Sequence, residues 1–174
     1  CARGCEVTVL PAYTKPEDIL NGGYDGIMLS NGPGDPQENT EIIENLKVLI
    51  KSGMPIFGIC LGHQLLALSI GAQTKKMTFG HRGVNHPVKD LAHDRTYITS
   101  QNHGYAVLGE TVNPDIARVS HININDNTCE GIEHLHAPIF TVQYHPEVKP
   151  GPEDTAYLFD QFIALMDEKK GGAQ

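Results

Sequence analysis

The sequence predicts an α/β fold with a mostly parallel open sheet, helices on both faces and an added antiparallel β region. Residues 55–59, "PIFGI", form an apolar run without alternation, which is typical of a strand covered on both faces. Such runs alternate with amphipathic segments in the order strand–loop–helix, which favours parallel strands with helices packed on either side. Beyond Ala72 the segments become short, β-rich and turn-rich, as expected for antiparallel strands added to one end.

Turn residues and apolar periodicity locate the individual elements. Pro16 begins a short helix that ends at Gly22-Gly23, and Gly53 ends a second helix whose apolar face carries Ile42, Ile43, Leu46, Leu49 and Ile50. The remaining predicted elements are strands at 5–10, 25–30, 55–59 and 139–144, a helix at 62–70 closed by Gly71, and a last helix at about 153–167 with Leu158, Phe159, Phe162, Ile163 and Met166 on one face.

Composition excludes several classes of function. The 174 residues suffice for one domain, and the formal net charge of −8 disfavours a nucleic-acid partner. No apolar run is long enough to span a bilayer, so no membrane association is expected. The four cysteines form neither a C-x-x-C pair nor a disulfide framework, which argues against a structural zinc site and favours the reducing cytoplasm.

The first residues, "CARGCEVTVL", resemble the last turn of a helix, a glycine stop and a strand. Because a fold rarely begins with the end of a helix, residues 1–174 are expected to be a single domain within a fragment. At least one strand and most of a helix would precede Cys1.

The candidate nucleophile is Cys60, which lies in "GICLG" (residues 58–62) between a strand and a helix. This pattern has the form of a nucleophile elbow, in which flanking glycines let strand and helix approach closely. The free N–H groups and dipole at the helix start favour thiolate over thiol, and the Leu61 N–H is placed to receive an oxyanion. The alternative is that Cys60 is a small core residue, since cysteine is often buried.

The candidate base is His145 in "QYHPE", because it follows an apolar strand and should reach the same sheet edge as Cys60. Pro146 stops the strand ladder, and Glu147 can accept a hydrogen bond from the imidazole and fix its tautomer. The pair His134 and His136 is a weaker candidate for a metal site, since no partner pattern accompanies it.

Two further segments have both a functional and a structural interpretation. In "NGPGDP" (residues 31–36), Gly32 and Gly34 either expose bare backbone to a ligand or form an ordinary surface turn. In "TSQNHGYAV" (residues 99–107), predicted as a loop between strands, Gln101, Asn102 and His103 either bind a polar molecule or satisfy a turn.

The motifs "NGPGDP", "GICLGHQ", "SQNHGY" and "QYHPE" occur in this order. Together they resemble the class I glutamine amidotransferase family, whose fold is flavodoxin-like, and the resemblance covers essentially the whole chain. The segments "GHRGVNHPV" and "TSQNHGYAV" are more similar to the small, glutamine-hydrolysing subunit of carbamoyl-phosphate synthetase than to the anthranilate or GMP synthase relatives.

The resemblance implies a Cys60–His145–Glu147 triad, with oxyanion N–H groups from Gly32 and Leu61. It further implies glutamine contacts from Gly32, Gly34, Leu61, Gln64, Asn102, Gly104 and Tyr105. In the family an N-terminal domain, and a strand and helix that begin the amidotransferase domain, would precede Cys1. A substrate-binding serine of that N-terminal domain has no counterpart in this sequence.

The activity implied by the resemblance is hydrolysis of L-glutamine to glutamate and ammonia through a cysteine thioester. A large synthetase subunit would use the ammonia, with ATP, Mg²⁺ and bicarbonate, to make carbamoyl phosphate for pyrimidine or arginine biosynthesis. No metal or other cofactor is predicted for this domain itself. The alternatives are an amidotransferase serving another synthase, a non-catalytic regulatory relative, and a general cysteine hydrolase or peptidase.

Overall fold

The computed structural model describes residues 3–148 and 155–172. Its helices are α1 (Pro16–Leu20), α2 (Thr40–Lys51), α3 (Leu61–Ser69) and α4 (Tyr157–Gly171), with 3-10 turns at Pro36–Glu38 and Gly109–Thr111. Its strands are β1 (Ile27–Leu29), β2 (Ile56–Ile59), β3 (Thr74–Asp90), β4 (Arg95–Val107), β5 (Ala117–Asn123), β6 (Cys129–His134) and β7 (Ile139–Val142).

One sheet contains all the strands of the described residues, in the order β1-β2-β7-β6-β4-β3-β5. β1, β2 and β7 run parallel, and every other pairing is antiparallel. The α/β class and the added antiparallel region are as predicted, but the sheet is not mostly parallel. Short connections join β3 to β4 and β5 to β6 as antiparallel neighbours, and the four strands β3 to β6 outnumber the three parallel ones.

Helices cover both faces of the parallel strands, as predicted. On one face, Leu46 and Leu49 of α2 and Leu65 and Leu66 of α3 pack on Ile56 and Ile139. On the other face, Leu158 and Phe162 of α4 pack against Phe57, whose ring stacks on that of Phe140 at 4.5 Å between centroids. This two-sided burial explains why every residue of β2 and β7 is buried.

The strand predicted at residues 5–10 is not formed. These residues pair with no strand among those described, and β1 is the edge of the sheet. The side chains of Val7 and Val9 are 61% and 89% exposed. Local β propensity cannot make a strand without a neighbouring ladder and a face to bury.

The predicted helices at 16–21, 40–52 and 62–70 are confirmed within one or two residues. The last helix begins at Tyr157 rather than near residue 153, and residues 153 and 154 lie outside the described part of the chain. It continues beyond the predicted end to Gly171, where Lys169 and Lys170 in the last turn favour the helix dipole. No helix among the described residues is long and apolar enough to cross a bilayer.

The segment at 99–107 belongs to strand β4 and is not a loop. β3 and β6 each pair with both β4 and β5, so these four strands close on one another. Along β4, Gln101 and His103 are buried, and Asn102 between them is exposed. The polar residues are compatible with a strand because the inward-facing ones have hydrogen-bonding partners: Gln101 donates to Glu130 Oε2 at 3.0 Å, and His103 Nδ1 lies 2.8 Å from the Tyr105 carbonyl.

Candidate active site

The carboxyl ends of the three parallel strands deliver the candidate catalytic groups to one edge of the sheet. Cys60 directly follows β2, and its N–H donates to the Val142 carbonyl at 2.9 Å. His145 comes three residues after β7, and its N–H donates to the Ser100 carbonyl at 2.9 Å. The loop containing Gly32 follows β1 at the same edge. Ligand sites of open α/β sheets occur in such positions.

Cys60 has the strained backbone of a nucleophile elbow, with φ 54° and ψ −104°. A positive φ is unusual for a residue with a side chain and indicates strain that the surrounding structure maintains. The strand and helix approach closely at Gly58 and Gly62. A Cβ on Gly58 would lie 2.9 Å from the Gly62 carbonyl carbon, and a Cβ on Gly62 would lie 2.5 Å from the Leu29 carbonyl oxygen.

Gly62→Ala is expected to lower the free energy of unfolding by about 1–3 kcal/mol, because the added methyl group clashes with rigid backbone of β1. Urea denaturation measures the change. Gly171→Ala is the control, since a Cβ there meets no atom within 4 Å, and that variant should be neutral or slightly stabilising. Equal stability of the two variants would contradict the close packing of the elbow.

The imidazole of His145 joins the thiol to a carboxylate. Its Nδ1 donates to Glu147 Oε1 at 2.8 Å, and its ring is also hydrogen-bonded to Cys60. The His145 side chain is 10% exposed and that of Glu147 42% exposed. One ring nitrogen therefore contacts the nucleophile while the other is fixed by an acid, the arrangement that a nucleophile, base and orienting carboxylate require.

These contacts favour the imidazolium form of His145 and the carboxylate form of Glu147. The hydrogen bonds with Cys60 and then with Glu147 raise the pKa of His145 to about 10, although burial opposes the shift. For Glu147, burial disfavours the carboxylate, but the hydrogen bond from His145 holds its pKa below the ordinary value. The imidazolium is therefore the stable form of His145 at neutral pH.

We expect the His145 ring to titrate near pH 10 by NMR, and Glu147→Gln to lower this pKa by about one unit or more, because an anion that stabilises the imidazolium is removed. Since the ordinary pKa is 6.5, the interaction contributes to folding stability fully below that pH. The contribution is lost as pH rises through about 10. Titration of His145 near pH 6.5 in both proteins would contradict the pairing.

Two other buried groups, His63 and Cys129, are held in their neutral forms. Desolvation is the main reason that the pKa of His63, which follows Gly62 in α3, falls to about 3, so this histidine is neutral. Its Nδ1 lies 2.8 Å from Thr141 Oγ1 and anchors α3 to β7. Burial raises the pKa of the Cys129 thiol to about 12, which makes that cysteine unreactive.

A small cavity of about 90 Å³ lies beside Cys60. Of the predicted site residues, it is lined by Gly32, Gly34, Cys60, Gln64, Asn102, Gly104 and Tyr105; Pro33 and His103 complete its wall. A wider groove of about 400 Å³ does not reach Cys60, but it shares Gly34, Gly104 and Tyr105 with the cavity. The groove and the cavity therefore adjoin at these three residues.

Leu61, His145 and Glu147 are not among the lining residues of the cavity. The Leu61 side chain lies over Gly32, where a Cβ would approach Leu61 Cδ2 to 2.7 Å. As the first residue of α3, Leu61 has no intrahelical partner for its N–H. Gly32, which lines the cavity, and Leu61, which follows Cys60, are therefore neighbours; their role as oxyanion donors stays a prediction.

Gln64 is held in one orientation. Its Nε2 donates to the Tyr105 carbonyl at 2.8 Å and to Gln143 Oε1 at 2.9 Å. Both amide hydrogens are thereby used, so the oxygen is the atom of this side chain that can bind a ligand. Gln143 and the Ser100 carbonyl, which binds the His145 N–H, were not predicted. The segments that contain them, "TSQNHGYAV" and "QYHPE", were identified from the sequence, but the contacts themselves depend on tertiary structure.

The loop after β1 is fixed to the rest of the site. The Asp35 carboxylate accepts a hydrogen bond from the Gln37 N–H at 3.0 Å, and Gln37 Nε2 donates to the Thr74 carbonyl at 3.0 Å. The Tyr105 hydroxyl is hydrogen-bonded to Asp35 across the entrance. Gly34, at φ +96°, allows the turn between these anchors. The loop is consequently an ordered wall of the cavity.

The fold and the site define an α/β protein with a cysteine on a strained strand-to-helix turn, hydrogen-bonded to a histidine that a carboxylate holds. A family model described as "Glutamine amidotransferase class-I" matches residues 1–165. The chain therefore belongs to the class I glutamine amidotransferase family.

Its similarity to curated proteins is high. It is 57% identical over 169 residues to the carbamoyl phosphate synthase small chain of Oceanobacillus iheyensis, a match that covers 97% of this chain and 46% of that protein. The corresponding protein of Bacillus caldolyticus is 56% identical over 171 residues, covering 97% and 47%. The chain thus spans about half the length of the curated relatives it matches.

Solved structures support the fold. A putative GMP synthase protein from Thermoplasma acidophilum superposes with a TM-score of 0.82 at 22% identity, covering 98% of this chain and 85% of that chain. A glutamine amidotransferase from Thermotoga maritima gives a TM-score of 0.59 at 20% identity, covering 86% and 66%.

Proposed function

We propose that this domain hydrolyses L-glutamine to glutamate and ammonia and supplies the ammonia to a large synthetase subunit that makes carbamoyl phosphate. The observation that carries the proposal is the His145 imidazole, hydrogen-bonded to both Cys60 and Glu147 at the edge of the sheet. The similarity to carbamoyl phosphate synthase small chains supports this synthetase over an anthranilate or GMP synthase.

The reaction begins when the Cys60 thiolate attacks the carbon of the side-chain amide. The amide oxygen takes the negative charge and accepts hydrogen bonds from the N–H groups of Leu61 and Gly32. The His145 imidazolium donates its proton to the leaving nitrogen, so ammonia departs and a γ-glutamyl thioester remains on Cys60. Glu147 holds the ring in place and stabilises its charged form.

The second half of the reaction regenerates the enzyme. Neutral His145 takes a proton from water, and the hydroxide attacks the thioester carbonyl at the same oxyanion position. The C–S bond breaks, glutamate leaves, and the thiolate–imidazolium pair is restored. ATP, Mg²⁺ and bicarbonate act on the large subunit, so this half-reaction uses only groups of the small domain.

The cavity residues are assigned to the glutamine itself. Gln64 presents its amide oxygen, and the backbone at Gly34, Gly104 and Tyr105, together with the Asn102 side chain, surrounds the polar end of the substrate. The protein is assigned to the cytoplasm, with no nucleic-acid or membrane partner. The buried thiols of Cys60 and Cys129 are not in disulfides, which is consistent with that compartment.

Reconstitution with a large subunit tests the choice of synthetase. The full-length protein, mixed with a large carbamoyl-phosphate synthetase subunit, should support carbamoyl phosphate formation from glutamine. Cys60→Ser in the same mixture should remove the glutamine-dependent rate and retain the ammonia-dependent rate. A full-length protein that supports anthranilate or GMP synthesis instead, or that hydrolyses a peptide but not glutamine, would overturn the proposal.

A further inference from the structure

A cluster of metal-ligand side chains lies behind the wall of the cavity. His81 of β3, His103 of β4 and Glu130 of β6 each direct a ligand atom to one place, and these atoms lie within 4.8 Å of one another. The three residues are 8%, 6% and 0% exposed. Two imidazoles and a carboxylate at this depth differ from the solvated acidic groups common on protein surfaces.

In each imidazole, one ring nitrogen faces the cluster (the inner nitrogen) and the other does not (the outer nitrogen). Each outer nitrogen lies beside an oxygen that can only accept a hydrogen bond. His81 Nε2 lies 2.9 Å from Asp126 Oδ2, and His103 Nδ1 lies 2.8 Å from the Tyr105 carbonyl. Both contacts fit imidazoles that are protonated on the outer nitrogen and donate from it. Histidines that bind metals are typically held in this way, with the far N–H donated to a carboxylate or a backbone carbonyl.

The inner nitrogens face an oxygen as well. Gln101 Nε2 donates to Thr99 Oγ1 at 3.1 Å and to Glu130 Oε2 at 3.0 Å, which turns its Oε1 toward the imidazoles. This oxygen lies 3.0 Å from His81 Nδ1 and 2.7 Å from His103 Nε2. When the rings are neutral and protonated on the outer side, both contacts bring lone pairs together without a hydrogen between them.

We propose that His81 Nδ1, His103 Nε2 and the Glu130 carboxylate, with Gln101 Oε1 as a fourth donor, bind a divalent transition metal ion, for which Zn²⁺ is the best match. Two imidazole nitrogens and a carboxylate form a set that zinc commonly adopts. Ligand atoms about 2.0–2.1 Å from one ion are about 2.9–3.4 Å apart. The contacts of Gln101 Oε1 with the imidazoles are near this range, as is the 3.3 Å from His81 Nδ1 to Glu130 Oε1.

A proton on His81 is the competing occupant. The hydrogen bond to Glu130 raises the pKa of His81 to about 9 against the effect of burial, with a further contribution from Asp126. A proton on His81 Nδ1 would turn only the contact between His81 and Gln101 into a hydrogen bond. If His103 were protonated as well, two buried imidazolium rings would lie 5.0 Å apart, measured between their centroids. A single metal ion resolves both contacts, since it accepts lone pairs from both rings.

The role of this ion is structural. It would join β3, β4 and β6 behind the segment that contains Asn102 and Tyr105, and His103 itself lines the cavity. It takes no part in the attack by Cys60. No metal was predicted for this domain from its sequence, where His134 and His136 were the candidate pair, and these two residues do not belong to this cluster.

Metal titration of the full-length protein tests the site. A Cys60→Ser background removes a sulfur that could bind the same ions, and it separates the result from glutamine hydrolysis. After chelator treatment, Co²⁺ is added and its visible absorption recorded, and Zn²⁺ is measured by competition with a chromophoric chelator. We expect one equivalent per chain, with ligand-field bands and no thiolate charge-transfer band.

Paired variants locate the ion. Glu130→Gln is expected to weaken Zn²⁺ binding by at least about tenfold, because it replaces an anionic ligand with a neutral amide of similar shape. Glu133→Gln is the matched control. It removes the same charge from the same strand, but Glu133 is paired with Arg118 on the surface, so the affinity should not change.

The site is disproved if the Cys60→Ser protein binds no stoichiometric Co²⁺ or Zn²⁺, or if the two glutamate variants bind it equally well. Should circular dichroism show that Glu130→Gln is unfolded, Asp126→Asn replaces it. That substitution alters the partner of the outer nitrogen of His81 and is expected to weaken binding by about 10- to 100-fold. An unchanged affinity in Asp126→Asn would then overturn the proposal.

Discussion

Cys60→Ser is expected to reduce glutamine hydrolysis by the full-length protein by at least about 10⁴-fold, which is of the order seen when a hydrolase loses its nucleophile. A serine hydroxyl is a much weaker nucleophile than the thiolate that the proposed mechanism uses, so it should attack an amide poorly at this turn. Release of glutamate measures the rate. The substitution exchanges only sulfur for oxygen, so the strained turn at residue 60 and the overall fold should be retained.

Cys129→Ser is the control for the loss of a thiol. Cys129 is 3% exposed and lies in a separate apolar cluster of the antiparallel region. Its replacement should change stability but leave the rate of hydrolysis within a few-fold of the parent protein. Retention of hydrolysis in Cys60→Ser, or equal losses in the two variants, would mean that Cys60 is a buried core residue and not the nucleophile.

His145→Gln is expected to lower the rate of glutamine hydrolysis by about 10²–10⁴-fold, the range for loss of a positioned acid–base group. Ammonia leaves poorly without the proton of the imidazolium, and water then lacks a base for attack on the thioester. Steady-state release of glutamate measures the loss, and the rate of ammonia-dependent synthesis with the large subunit checks that assembly is intact.

Glu147→Gln separates orientation from proton transfer. Glu147 contacts the ring and not the reacting atoms, so its loss should reduce the rate less than the loss of His145, with the remaining activity shifted in its pH dependence. A Glu147→Gln protein less active than His145→Gln would contradict the assigned roles. Near-normal activity of His145→Gln would remove the base from the mechanism.

The strained turn at Cys60 and its meeting with His145 and Glu147 could be predicted because their determinants are local or follow from parallel topology. Glycines on either side of Cys60 mark the close approach of strand and helix, and His145 follows an apolar strand. Carboxyl ends of parallel strands meet at one edge, so two residues far apart in sequence could be placed together. The structure has this arrangement, with the imidazole hydrogen-bonded to both Cys60 and Glu147.

Other features depend on partners that no short segment specifies. The predicted strand at 5–10 has suitable alternation but no neighbouring strand among the described residues. The segment at 99–107 was predicted to be a polar loop, yet it belongs to β4, where Gln101 contacts His81 of β3 and Glu130 of β6, and His103 contacts Gln101. Sequence alone does not show these pairings, so the buried cluster behind the cavity was not predicted.

Mass spectrometry of the full-length protein after treatment with a reactive glutamine analogue tests the central claim most directly. We expect one adduct per chain, on Cys60, and its formation should be blocked by excess glutamine and strongly slowed in His145→Gln. An adduct on Cys5 or Cys129, or none in a folded protein, would contradict the assignment of Cys60 and His145 to amide cleavage.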